Sequence, residues 1–262
     1  MLITDMSIVR AAHVILASAS PRRLSIMNDQ LDLGVRAVPS SFMEDLNKAA
    51  FTPHEYVVEN ARQKALEVFN KCESPFAAKH SRSPSLVVGA DTVVVLDNKI
   101  LEKPASVEEA RRMLSALSAA GTHSVVTGVS LVYGSGEAGS SPAHEHHFWE
   151  ATTVSFKELG DAEIEAYVTS GEPMDKAGAY GIQGLGGAFV TGIVGDYQNV
   201  VGFPVSRFCD ELDTARLSAW IGLAAEEEEA PALEAEDDPC DPLAPVISEE
   251  CLDEDECGLP SD

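Results

Sequence analysis

Residues 87–96 (VVGADTVVVL) combine a buried-strand pattern with one ionisable side chain. A nearly continuous apolar run of this length is typical of a fully buried strand. Asp91 lies in its middle, behind two small residues. Because a charge taken out of water is costly unless it is paired or binds a metal, Asp91 is a candidate catalytic or metal-binding carboxylate at a break in the strand. The alternative is a strand that ends at Asp91, and the valine-rich continuation counts against it.

A strand, a tight turn and a helix N-terminus are predicted near the start of the chain. Residues 13–17 (HVILA) form the strand, Ser20 is a good N-cap and Pro21 a good first helical residue. The free backbone N–H groups of such a terminus bind anions, and Arg22 and Arg23 add donors that suit phosphate or carbonyl oxygens. The alternative is an ordinary capped helix with two surface arginines.

Two further segments carry charges that could join these residues. Glu44 and Asp45 follow a predicted strand over 35–38. Such a pair usually lies in a solvated turn and binds a metal only where other ligands converge. A helix over 53–70 carries Lys64, for which a solvated face is the default interpretation.

A hairpin is predicted directly after the central strand. Residues 97–99 form its turn and 100–104 its returning strand, which would bring Lys103 beside the strand that carries Asp91. The remaining pattern predicts helices over 107–117, 159–167 and 205–223, strands over 124–133 and 148–156, a last strand pair at 188–190 and 193–194, and polar loops over 71–85 and 134–147.

The segment 171–187 is too rich in glycine for a helix and too long for a simple turn. Its glycines let the backbone approach a ligand closely, although their spacing does not fit a dinucleotide-binding fingerprint. Its polar side chains include Asp175, Lys176 and Gln183.

The negative charge of the chain is concentrated at its C-terminus. The formal net charge is −25, and residues 224–262 contain 16 Asp and Glu but no Lys or Arg. Because that segment has too little apolar content to repay its ordering entropy, we predict a folded domain over 1–223 and a disordered acidic tail over 224–262. Neither part has a basic face, which argues against nucleic acid or an anionic membrane as a partner.

The composition also predicts a cytoplasmic location. No apolar stretch approaches the roughly 20 residues of a membrane span, and the N-terminus lacks the pattern of a signal peptide. The five cysteines are scattered, which favours reduced thiols over a disulfide framework or a zinc site.

Four blocks of the sequence, taken together, resemble the signature of the Maf family of nucleoside triphosphate pyrophosphatases. They are residues 17–23 (ASASPRR), 89–93 (GADTV), 102–104 (EKP) and 172–184 (EPMDKAGAYGIQG). Their order and spacing match, and the resemblance covers roughly residues 12–220. The SPRR, ADT and IQG variants resemble the branch that acts on dTTP and UTP, whereas the branch that acts on 7-methyl-GTP differs in those blocks.

The resemblance implies a mixed α/β fold related to the inosine-triphosphate pyrophosphatases, with a twisted sheet flanked by helices, two lobes around a cleft and often a homodimer. It implies hydrolysis of a nucleoside triphosphate to the monophosphate and pyrophosphate with a divalent metal, Mg²⁺ or Mn²⁺, as a housecleaning activity on the nucleotide pool. By the same resemblance, Asp91 is the general base and shares the metal with Glu44. The other implied roles fall to Arg22, Thr92 and Gln183 for base specificity, and to Ser20, Arg23, Lys64, Lys103 and Lys176 for the phosphates.

Two other functions are compatible with the sequence. One is a nucleotide-sensing regulator that binds triphosphates without useful turnover; loss of Asp91 or of a lysine would have favoured it, but all are present. The other keeps the enzyme and makes its substrate a damaged or modified nucleotide.

Overall fold

A mixed β-sheet forms the centre of the fold, which this computed structural model describes over residues 13–76, 85–134 and 144–214, together with Val9. The strands are β1 (His13–Leu16), β2 (Arg36–Ala37), β3 (Ser85–Leu96), β4 (Lys99–Leu101), β5 (Thr122–Gly134), β6 (His144–Phe156) and β7 (Val190–Val194). Within the described ranges they pair in the order β2-β1-β3-β5-β6-β7, and β4 pairs with the end of β3. β1 is parallel to β2 and β3, and the other pairs are antiparallel.

Helices cover both faces of this sheet. They are α1 (Pro21–Ser25), α2 (Pro53–Phe76), α3 (Val107–Ala120), α4 (Asp161–Thr169), α5 (Tyr197–Val201) and α6 (Val205–Thr214). α2 packs on one face, whereas α3, α4 and α6 pack on the other. The prediction of a mixed α/β fold with a sheet flanked by helices is therefore confirmed. None of the described helices combines the length and the apolar character that crossing a bilayer requires.

A polar seam divides the face covered by α3, α4 and α6 into two apolar clusters. Along β3, Ala90 belongs to the first cluster and Val94 to the second, and Thr92 lies between them. Along β5, Thr127 takes the corresponding position, with its hydroxyl oxygen 3.0 Å from that of Thr92. The Thr127 hydroxyl also donates to the carbonyl oxygen of buried Asn199 at 3.2 Å. The two predicted lobes correspond to the apolar clusters on either side of this seam.

Two glycines bring α2 very close to the other face of the sheet. A Cβ at Gly89 of β3 would lie 2.1 Å from the Ala61 carbonyl oxygen, and one at Gly128 of β5 would lie 2.4 Å from the Val57 carbonyl carbon. Neither glycine has a positive φ, so glycine is required here for space. The close approach sets Lys64, which follows Ala61 by about one helical turn, beside β3.

Two segments that were predicted as loops are partly helix or strand. α2 continues to Phe76, so the first part of the loop predicted over 71–85 is helical, and residues 77–84 lie outside the described ranges. β6 begins at His144, so the histidines of the loop predicted over 134–147 lie in a strand. Tertiary contacts explain this difference, since His146 Nε2 lies 2.6 Å from the buried carboxylate of Glu211 on α6.

The C-terminal predictions differ at one element. The strand pair predicted at 188–190 and 193–194 is wrong: the structure has β7 there, preceded by a 3₁₀ turn over Leu185–Phe189. Phe189 belongs to the turn because its ring is buried against the rings of Tyr167 and Phe156. α6 is described as far as Thr214, and the predicted tail over 224–262 lies outside the described residues, so the domain boundary stays a prediction.

A buried histidine makes the stability of the fold depend on pH. His123 of β5 is 5% exposed, and its Nε2 lies 2.8 Å from the Tyr180 hydroxyl. Burial lowers the pKa of His123 from 6.5 to about 4. The unfolded chain therefore binds a proton near pH 6.5 that the folded chain binds only near pH 4. This group stabilises the fold above pH 6.5, and its contribution is lost as the pH falls from 6.5 to 4.

We expect the free energy of unfolding to decrease by about 3 kcal/mol over that interval because of His123 alone. Urea unfolding at pH 7, 6, 5 and 4 measures it, and the difference in slope between the wild type and His123→Gln isolates this group from the other titrating residues. Parallel pH profiles for the two proteins would contradict the assignment.

Candidate active site

A cleft opens where β3 changes its neighbour. β1 pairs with β3 only as far as Val88, and β4 begins to pair at Val94. Among the described residues, no strand lies beside residues 89–93 on that side, and a cleft of about 910 Å³ occupies the gap. β3 itself runs unbroken through Asp91, so the predicted break in the strand is wrong. The interruption is in its neighbours, and it gives the cleft access to Asp91.

Every residue that the sequence singled out for the site lines this cleft. They are Ser20, Arg22, Arg23, Glu44, Lys64, Asp91, Thr92, Lys103, Lys176 and Gln183. They come from the β1–α1 turn, α1, the segment before α2, α2 itself, β3, the segment after β4 and the glycine-rich segment. Long-range folding therefore brings together groups that are far apart in the sequence.

A buried ammonium group joins the two carboxylates. Lys64 Nζ donates to Asp91 Oδ1 at 2.8 Å and lies 3.0 Å from Glu44 Oε1. Lys64 and Asp91 are 7% and 6% exposed, respectively, whereas Glu44 is exposed. Burial excludes competing water and strengthens the charge interaction. The second oxygen of Asp91 accepts no hydrogen bond from the part of the chain that the structure describes.

The donor set at this point fits a hard divalent cation. The carboxylates of Glu44 and Asp91 share a single ammonium, so the cluster has one surplus negative charge. Within the described ranges, no group of three or more His, Cys, Asp or Glu side chains converges. Mg²⁺ is usually held by one or two carboxylates together with substrate phosphates, and Glu44 and Asp91 supply two carboxylates here.

Arg23 is fixed across the polar seam. Its Nε donates to the Gly202 carbonyl oxygen at 2.9 Å, its Nη2 to Thr92 Oγ1 at 2.9 Å and its Nη1 to Ser18 Oγ at 3.2 Å. Burial lowers the pKa of Arg23, and the nearby charges of Asp91 and Glu44 oppose that effect. The guanidinium stays charged, because arginine is not deprotonated in proteins.

The hydroxyls of Ser20 and Thr92 are engaged within the protein. Ser20 Oγ accepts from the Arg23 backbone N–H at 3.4 Å, so the predicted N-cap is present. Thr92 Oγ1 contacts Arg23 and Thr127. Thr92 was assigned to base specificity, and its contacts point to an action through the orientation of Arg23.

Asp175 connects the cations at the mouth of the cleft. Arg22 Nη1 lies 3.4 Å from its Oδ2, and Lys176 Nζ lies 2.5 Å from its Oδ1. Burial would raise the pKa of Asp175, but the bond from Lys176 and the charge of Arg22 lower it overall. Lys103, on the opposite wall, is exposed and forms no ion pair with the described residues.

The sequence reasoning missed two carboxylates that line the cleft. Glu102 accepts a hydrogen bond of 2.6 Å from the hydroxyl of buried Tyr56 and forms an ion pair with Lys48. Glu172 lies inside the glycine-rich segment. Both residues belong to the sequence blocks described above, but only the folded structure shows which groups their carboxylates contact.

Comparison with known proteins gives concordant results. A family model described as Maf-like protein matches residues 13–215. A human protein named "Probable bifunctional dTTP/UTP pyrophosphatase/methyltransferase protein" is 49% identical over 201 residues, which cover 76% of this chain and 31% of that protein. A dTTP/UTP pyrophosphatase of Agathobacter rectalis is 45% identical over 205 residues, covering 77% of this chain and 96% of that protein.

A relative from a third organism has the same name as the one from Agathobacter rectalis. The dTTP/UTP pyrophosphatase of Thermococcus onnurineus is 45% identical over 192 residues, covering 73% of this chain and 92% of that protein. The chain thus spans about a third of the length of the human relative and nearly the whole of the other two.

Proposed function

Since the chain belongs to the Maf-like protein family, as its sequence blocks predicted, we propose that it hydrolyses dTTP and UTP to the monophosphate and pyrophosphate. The observation that carries this proposal is the convergence of four cationic side chains and two carboxylates in one cleft. These cations are Arg23, Lys64, Lys103 and Lys176. Relatives of three different organisms, named for dTTP and UTP, support the substrate class.

The cations match the charge of the substrate. A nucleoside triphosphate carries several negative charges at neutral pH, and phosphate oxygens are best met by ammonium and guanidinium donors. All four line the cleft: Lys64 is buried, Arg23 and Lys176 are half-buried, and Lys103 is exposed. We assign these four residues to the phosphate chain, with Ser20 holding the backbone turn that carries Arg23.

Asp91 is assigned as the general base. Its carboxylate takes a proton from a water molecule, whose oxygen attacks the α-phosphorus. The bond from that phosphorus to the bridging oxygen breaks, and pyrophosphate leaves with the bonding electrons. Lys64, 2.8 Å from Asp91, offsets the charge that accumulates on the phosphate oxygens. A divalent cation held by Glu44 and Asp91 would supply further stabilisation of that charge when bound.

Gln183 and Arg22 are assigned to the base. Uracil and thymine present an acceptor at O4 and a donor at N3, and one glutamine amide can meet both. An amide can also flip to suit cytosine, whereas Arg22 can only donate. Arg22 therefore favours a carbonyl at position 4. Thr92 keeps its assignment to base specificity and acts indirectly, through its bond to Arg23, which adjoins Arg22 in the chain.

We expect dTTP and UTP to lead a panel of nucleoside triphosphates assayed with Mg²⁺ or Mn²⁺. Their kcat/KM should exceed that for dGTP and dATP by at least about tenfold, because a base that leaves the hydrogen-bonding groups of the site unpaired is discriminated against. Pyrophosphate release and chromatography of the monophosphate measure it. Release of orthophosphate, a preference for purines, or binding without turnover would each contradict the proposal, and modified pyrimidine nucleotides in the same panel test the physiological substrate.

The setting of the activity is part of this proposal. We place it in the cytoplasm, because scattered cysteines favour reduced thiols over a disulfide framework. A homodimer is the expected assembly, and a sedimentation measurement on the purified protein tests it.

A further inference from the structure

The glycine-rich segment is folded around one carboxylate. Glu172 Oε2 accepts from the Leu185 backbone N–H at 2.9 Å, and its Oε1 accepts from the Gly186 backbone N–H at 3.2 Å. The Tyr167 hydroxyl of α4 donates to Oε1 at 3.0 Å and accepts from the Gly181 backbone N–H at 3.1 Å. The backbone of residues 181–186 is thus fastened at both ends to a single acidic side chain and its tyrosine partner.

Glycine is required in this loop because the carboxylate is so close. A Cβ at Gly184 would lie 2.4 Å from Glu172 Oε1, and one at Gly186 would lie 2.7 Å from the Tyr167 hydroxyl. Neither residue has a positive φ, so space rather than backbone conformation demands glycine at both positions. Glycine at 184 and 186 is therefore explained by the carboxylate that the loop encloses and by its tyrosine partner.

Glu172 is held in its charged form. Burial would raise the pKa of its carboxyl, but the backbone N–H groups of Leu185 and Gly186 and the Tyr167 hydroxyl lower it overall. A carboxylate can accept from all three donors at once, whereas an amide would turn an NH₂ donor toward at least one of them.

The held loop carries the residue assigned to base recognition. Gln183 lies between the fixed points at Gly181 and Leu185, and its exposed side chain lines the cleft. The Gln183 side chain forms no hydrogen bond with the described residues, so the region that its amide can reach depends on the position of the backbone that carries it. Lys176 Nζ, by contrast, donates to the Glu172 backbone carbonyl at 2.8 Å, and a change of the Glu172 side chain leaves that carbonyl in place.

We propose that Glu172 is a positioning residue for nucleobase selection: its carboxylate fixes the loop that presents Gln183 to a pyrimidine carbonyl. The inference rests on the pyrimidine preference proposed above. It separates two functions in one segment, since the side chain of Glu172 orients the base-reading loop while its backbone holds a phosphate-binding lysine.

Glu172→Gln tests this assignment. We expect the ratio of kcat/KM for dTTP to that for dGTP to fall by at least about tenfold, mainly through a higher KM for dTTP, with kcat for dTTP within about threefold of the wild type. Tyr167→Phe should shift the ratio in the same direction, because it removes the hydroxyl that joins Glu172 to Gly181. The matched control is Glu165→Gln on α4, whose carboxylate pairs with Arg111 outside the cleft, and its ratio should not change.

The outcomes are distinguishable. An unchanged dTTP to dGTP ratio in both Glu172→Gln and Tyr167→Phe overturns the inference. An equal loss of activity on both nucleotides, accompanied by a lower Tm, assigns Glu172 to the stability of the fold and also overturns it. A wild-type enzyme that hydrolyses triphosphates without a pyrimidine preference instead contradicts the proposed function, and that result is known before any variant is assayed.

Discussion

Replacing Asp91 with asparagine is expected to lower turnover of dTTP by at least about 100-fold, the typical effect of a lost general base, while the fold persists. The two side chains have nearly the same shape, but the amide cannot take a proton from water. The fold should survive because Lys64 keeps a second carboxylate, Glu44, at 3.0 Å. Single-turnover rates of pyrophosphate release measure the effect, and far-UV circular dichroism with thermal unfolding checks the fold.

Two further variants distinguish the role of Asp91 as general base from the roles of the neighbouring carboxylates. Asp45→Asn makes the same substitution at an exposed position outside the cleft and should stay within about twofold of the wild type. Glu44→Gln should raise the Mg²⁺ or Mn²⁺ concentration needed for half-maximal rate and recover activity at high metal, because Asp91 remains to share the ion. Near wild-type turnover of Asp91→Asn, or its recovery with added metal, would refute the role of Asp91 as base.

The sequence predicted which residues line the cleft, but it did not predict which residues they contact. An ionisable residue in an apolar run drew attention to Asp91, and this signal is local, so one sequence suffices to find it. The partners of Arg22 and Arg23 are 153 and 179 residues away, at Asp175 and at the Gly202 carbonyl. No local pattern encodes such pairings, or the bond from Arg23 to the hydroxyl of Thr92, 69 residues away.

The fold departs from the local pattern where tertiary packing overrides it. The histidines predicted in a polar loop belong to β6, since they find partners such as Glu211 on α6. The glycine-rich segment was recognised as unusual, but the carboxylate that it encloses, Glu172, which requires glycine at 184, was missed. A carboxylate followed closely by several glycines is a signal that could have found it. Likewise, one of the two small residues before Asp91 is Gly89, and the structure packs α2 directly against it.

Gly89→Ala is expected to inactivate the enzyme. Residue 89 lies in β3, and the added methyl group would displace the neighbouring helix α2. The added Cβ would lie 2.1 Å from the Ala61 carbonyl oxygen of α2 and 3.0 Å from the Ala65 Cβ. A carbonyl oxygen in mid-helix cannot rotate away, so α2 must shift by roughly 1 Å from β3 to restore van der Waals contact. Overpacking of this kind costs about 3 kcal/mol, equivalent to a Tm lower by about 6–12 °C in a domain of this size.

The same displacement of α2 should also lower the catalytic rate. Lys64 follows Ala61 on α2, and its 2.8 Å bond to Asp91 depends on the separation between this helix and β3. Because a displacement of 1 Å can cost about 100-fold in rate, we expect kcat of Gly89→Ala on dTTP to fall by about that factor at temperatures where the protein is folded. The matched control is Gly192→Ala in β7, where a Cβ meets only Ser155 at 3.9 Å, and its Tm and kcat should be unchanged. A Gly89→Ala protein with wild-type Tm would show that the separation between α2 and β3 is not fixed by this contact. If its Tm fell while kcat were retained, Lys64 would not depend on that separation for its position beside Asp91.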